Sequence, residues 1–148
     1  MKVTWISAVL AALFFATTGW ASESVQEQRH ELMESAKDAA KPIGGMLKGE
    51  LAFDAATAME SFQVWSDVAA QAGDLFPEGS ETGYDTEAKE TIWTDRDGFN
   101  QQLADFTAAV DGAIEASPQS LDELKMATGP VFKACKSCHE GYRVEDEN

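Results

Sequence analysis

Cysteine, basic side chains and strand-like alternation are all scarce in this sequence, and each scarcity excludes something. Two cysteines in 148 residues cannot build a disulfide-stapled scaffold. Eleven Lys and Arg stand against 26 Asp and Glu, a formal charge of −15, so no cationic face exists for nucleic-acid phosphates or anionic lipid. No segment alternates apolar and polar residues over strand length, and neither a Gly-rich phosphate loop nor a nucleophile elbow occurs. With 26 carboxylates, chance acidic pairs are unavoidable, so none marks a hydrolase. What remains is an acidic chain, 25% charged and 44% hydrophobic, of a length that fits one globular domain.

The first 21 residues read as a secretory leader. Met1-Lys2 is a short basic start, and the mostly apolar run Val3 to Thr18 is about 16 residues, short of the ~20 needed to span a bilayer. Gly19-Trp20-Ala21 then places small residues at a cleavage site before Ser22. The expected mature chain is therefore 22–148, exported, with no membrane association after cleavage. Two thiols in an oxidising compartment should be bonded or chemically capped.

Four stretches of the mature chain have helical spacing. Val25, Arg29, Leu32, Met33, Ala36, Ala40, Ile43 and Leu47 form the first stripe, which contains Pro42 and ends near Lys48-Gly49. The second opens at Asp54, a good N-cap, and carries Met59, Phe62, Trp65 and Ala69 before Gly73. Residues 74–92 read as a long loop, and Phe99, Leu103, Phe106 and Val110 mark a third helix. Ser117-Pro118 is expected to start the fourth, which runs from Leu121 to Tyr142 with a bend at Gly129-Pro130. The acidic end Glu145-Asp146-Glu147 reads as a solvated tail. The predicted fold is all-α, an antiparallel up-down-up-down four-helix bundle.

Chemistry concentrates in Cys135-Lys136-Ser137-Cys138-His139, a C-x-x-C-H sequence of the kind that attaches haem covalently. Each thiol can add across one haem vinyl group to form a thioether, and the adjacent imidazole can bind the iron from one side. Helical spacing of three and four residues puts all three side chains on one face. The alternatives are a zinc site, a thioredoxin-type redox pair and a local disulfide. Zinc wants about four ligands, and only His30 and carboxylates remain. A redox pair belongs at a helix start in a βαβ setting, and a disulfide over so short a loop stabilises little.

With this motif on the last of four helices, the chain resembles the class II c-type cytochromes, meaning cytochrome c′ and its low-spin relatives of the c-556 type. The resemblance extends through Arg29-His30-x-x-Met33, Lys48-Gly49-Glu50, Phe53-Asp54-Ala55-Ala56, Leu75-Phe76-Pro77, Ile92-Trp93, Phe99 and the run Lys133 to Arg143. It implies one covalent haem c per chain, set between the helices, with Cys135 and Cys138 as thioether sites and His139 as proximal ligand. Met33, 15 residues before Lys48, matches the distal position. There low-spin members use a Met ligand, whereas cytochromes c′ leave five-coordinate iron beneath an apolar residue that can itself be Met.

The resemblance further implies haem contacts for Arg29 at a propionate, for His30 and for Glu87. It also sets Arg143 beside the proximal imidazole. It implies an electron carrier, not an enzyme; the leader points to the periplasm, and the strong negative charge suits redox proteins with basic docking faces. The alternative function is binding of nitric oxide or carbon monoxide as scavenger or sensor. Dimerisation through the first two helices also occurs in the family, and this sequence does not fix it.

Overall fold

The computed structural model describes residues 24–144; the leader expected over 1–21 and the tail after Val144 lie outside the described residues. Five helices make up the described chain: α1 (Val25–Leu47), α2 (Ala55–Ala72), a short α3 (Thr91–Thr94), α4 (Arg96–Ala116) and α5 (Leu121–Tyr142). A 3₁₀ turn, Gly73–Leu75, extends α2. No strand occurs among the described residues, whose one β-bridge joins Ala88 and Arg143. The four long helices pack mainly as α1 on α2, α2 on α4 and α4 on α5, while α1 meets α5 over a short stretch only.

Local chemistry sets each boundary. Ser24, Asp54, Asp95 and Ser120 each accept a backbone N–H from three residues ahead, so all four long helices begin on a side-chain cap. At the end of α1, Gly49 takes a positive φ of 74°, and the N–H groups of Glu50 and Leu51 return to the Gly45 carbonyl. Leu51 folds across Gly45, where a Cβ would lie 2.8 Å from the leucine side chain.

The helix α1 passes through Pro42 and α5 through Gly129-Pro130, each as one continuous element. The expected cap at Ser117 is corrected. Ser117 instead closes α4 in the left-handed region (φ 41°), and its N–H bonds to Ile114. Helix α5 starts at Leu121, because Ser120 meets Glu123 with the three-residue spacing of a cap while Pro118 is buried in the connection.

The core lies where all four long helices converge. Ile43, Met46, Ala58, Phe62, Trp65, Val110, Ala113, Leu124 and Val131 are at most 2% exposed and form one cluster. Ile43, Phe62, Trp65, Val110, Leu124 and Val131 lie on the stripes read from the sequence, whereas Met46 and Ala58 fall outside them. The alternating helix directions put the α1–α2 and α4–α5 connections at one end of the bundle. The starts of α1 and α4, the ends of α2 and α5, and the long 76–90 loop share the other.

Candidate functional site

The end with the long loop carries the chemistry. Trp65 sits as a pillar between helices, its indole N–H donating to Ala36 O of α1 at 3.0 Å while its ring stacks edge-on to Phe132 of α5, centroids 5.7 Å apart. Met33 lies one turn before Ala36, and Cys135 lies one turn after Phe132. Because α1 and α5 run in opposite directions, both steps move the same way along the bundle. Met33 and the Cys135–His139 face therefore lie at one level, on two helices that meet over a short stretch only.

Cys135 packs against the core, and Cys135, Cys138 and His139 are all half-buried. Both thiols are free, and burial pushes both above the ordinary thiol value. A redox pair would need the opposite, a thiolate stabilised at a helix N-terminus. Among the described residues no group of three His, Cys, Asp or Glu could hold a metal ion, so the zinc alternative finds no ligand set. Burial first, and the Arg143 guanidinium second, hold the His139 imidazole below its ordinary value, while Glu87 pulls upward. A neutral imidazole is the form that ligates iron.

On α1, Arg29 is buried to 6% exposure. One terminal nitrogen donates to Ser80 O at 2.6 Å, and the guanidinium carbon lies 4.8 Å from the centre of the Phe76 ring and 5.8 Å from that of Trp93. Its Nε and other terminal nitrogen are buried without a protein partner. Desolvation lowers its pKa, and Glu81 only partly offsets this. Two orphaned cationic donors call for an anion. Met33, 37% exposed, offers an apolar thioether one turn further along. The half-buried thiols, imidazole, apolar Met33 and donor-rich Arg29 thus fit a flat apolar group with an anionic edge, which is the chemistry of a haem with its propionates.

The remaining expected residues lie nearby. His30 is exposed and faces Tyr84 edge-on at 6.3 Å. Glu87 and Arg143 approach to 3.9 Å, both about half exposed, so the pair contributes little to stability. Both act electrostatically on His139, which joins these three at the end of α5.

Several site-end residues had no sequence signal of their own. Ser80 offers its carbonyl to Arg29, while Lys89 and Thr91 donate to the Glu140 and Gly141 carbonyls, each across roughly fifty residues that no periodicity reports. Asp95 accepts from Tyr142 Oη at 3.0 Å and also caps α4. The clue available for Asp95 was its place one turn before the Phe99 stripe.

A family model described as cytochrome c′ matches residues 24–143. Among curated relatives, cytochrome c′ of Rhodopseudomonas palustris is 35% identical over 93% of this chain and 95% of its own. Cytochrome c-556 of the same organism is 30% identical over 92% of this chain and 93% of its own. A solved structure of the R. palustris cytochrome c′ superposes with a TM-score of 0.81 at 35% identity, covering 84% of this chain and 99% of that one.

Proposed function

The chain belongs to the class II c-type cytochromes, and from that premise we propose that it is an exported one-electron carrier whose haem iron lies between His139 and Met33. The family binds covalently attached haem c, and its members are haem carriers, not enzymes. When bound, that haem supplies a one-electron couple between ferric and ferrous iron.

The observation that carries the proposal is the contrast between two methionines of α1. Met46 is 1% exposed and its sulfur accepts the Asp54 N–H at 3.2 Å, so it is spent on the core. Met33 leaves 37% of its surface uncovered, at the level of the Cys135–His139 face. A soft thioether there favours ferrous iron and a raised potential.

Cys135 and Cys138 fix the group through thioethers, and neutral His139 presents a ring nitrogen. Arg29, with two unpartnered donors, would hold a propionate, and His30 would contact the haem. Glu87 and Arg143 balance the charge around the imidazole. Replacing Met33 with Ala should abolish a far-red sulfur-to-ferric charge-transfer band and lower the potential; a variant that keeps both would remove Met33 from the iron.

A second reading keeps Met33 as an apolar cover over five-coordinate iron that takes nitric oxide or carbon monoxide. Its support is the 35% identical relative named cytochrome c′. The same Met33→Ala variant separates the two readings, because an unbound sulfur contributes no such band.

The periplasm is the proposed location, supported by the leader-like start at residues 1–21. None of the described helices is long and apolar enough to cross a membrane. Redox partners with basic docking faces suit the charge of −15, and electron exchange with them should slow as salt rises. A homodimer through α1 and α2 belongs to the same reading, and sedimentation of the haem-loaded protein across concentrations checks it.

A further inference from the structure

The last four carbonyls of any α-helix have no partner within the helix. In α5 all four are satisfied, and three of them by Lys89 and Thr91, where the long loop enters α3. His139 O accepts from Arg143 N at 3.0 Å. Glu140 O accepts from Lys89 Nζ at 2.8 Å, Gly141 O from Thr91 Oγ1 at 3.2 Å, and Tyr142 O from Lys89 N at 2.9 Å. Val144 N, just beyond the helix, donates to Glu87 O at 2.7 Å. Helix α1, by contrast, closes its end with its own Lys48, Gly49, Glu50 and Leu51.

We propose that Lys89 is a positioning residue for His139, clamping the final turn of α5 so that the imidazole keeps one orientation toward the iron. The inference rests on the reading of His139 as the proximal ligand. Lys89 uses both its backbone N–H and its ammonium on carbonyls one and three residues after His139, and a turn held at those points cannot unwind or rotate independently. The ammonium also lies at the negative end of the α5 dipole, where a cation is favoured. Within that last turn the only basic side chain is His139. The loop thus adds a second cation to a helix end whose C-cap is Arg143.

The test uses the full haem-loaded protein with Lys89→Met, Lys89→Arg and Lys125→Met, the last removing an equal charge from an exposed position earlier on α5. Amide exchange at Arg143 and Val144 should run about five- to tenfold faster in Lys89→Met, the change expected for losing roughly one hydrogen bond. The paramagnetically shifted haem-methyl resonances, whose spread follows the orientation of the axial imidazole plane, should move in the same variant. Lys89→Arg should restore both, Lys125→Met should leave both unchanged, and Thr91→Val should shift both by less. Wild-type exchange in Lys89→Met overturns the clamp. Faster exchange with unmoved methyl shifts overturns the positioning role, as does a Lys125→Met variant that reproduces the shifts. Failure of the axial reading itself would show separately, as a wild-type spectrum without imidazole-bound iron, while amide exchange reports the clamp whatever binds the metal.

Discussion

The two ends of this bundle are built on opposite rules. At the end with the short connections, Ile43, Met46, Ala58, Val110, Ala113 and Leu124 are at most 1% exposed, and Leu51 and Leu121 stay open to solvent only at the helix connections. At the other end, an arginine is buried with two donors unpartnered, a methionine is 37% exposed and two thiols are half-buried. The open end keeps two buried Arg29 donors unpartnered, which costs stability unless an anion joins them. Helices α1 and α5 run through both, so the difference lies in what each turn is packed against and not in the helices themselves.

Mutations on a single helix should separate the ends. Leu124→Ala, at the start of α5, should lose about 2–5 kcal/mol in denaturant unfolding while the visible spectrum of the folded protein stays unchanged. Arg29→Met should act on the spectroscopic end. If its free donors face a propionate, the haem-loaded protein loses roughly 1.5–3 kcal/mol of stability. Its potential also falls, because a positive charge that favoured ferrous iron is gone. Stability equal to or above wild type would mean that Arg29 has no anion beside it.

The helices were legible because their side chains pack on each other, and packing leaves a period in the sequence. Phe62, Val110 and Leu124 sit where their stripes placed them, and Asp54 caps α2 as its residue type implies. The C-x-x-C-H face followed from spacing alone. The start of α5 departs from the expected Ser117-Pro118 because Pro118 is buried in the connection and Ser120, three residues before Glu123, accepts its N–H instead. The cradle of Arg29 and the clamp of Lys89 had no period to read, because both consist of side chains reaching backbone carbonyls about fifty residues away.

Smaller effects sharpen the contrast. Ser120→Ala removes the cap of α5 at the closed end and should cost about 1 kcal/mol, measured by thermal unfolding, with the haem spectrum indifferent. Tyr142→Phe tests the open end through pH. Burial, and then the bond to Asp95, raise the Tyr142 pKa. The unfolded chain therefore ionises first, and the contribution of Tyr142 is intact below about pH 10 and lost as pH rises further. Wild type should lose stability more steeply than Tyr142→Phe in that alkaline window, and parallel curves would mean that the Asp95 bond contributes nothing.

The central claim is that Met33 completes the coordination of the iron, and carbon monoxide tests it most directly. The visible spectrum of the reduced wild-type protein should be low-spin and unmoved by the gas on mixing, because the thioether holds the position, whereas Met33→Ala should bind it promptly. A high-spin reduced spectrum that shifts at once in the wild type would contradict the account and leave Met33 as a packed side chain above an open site.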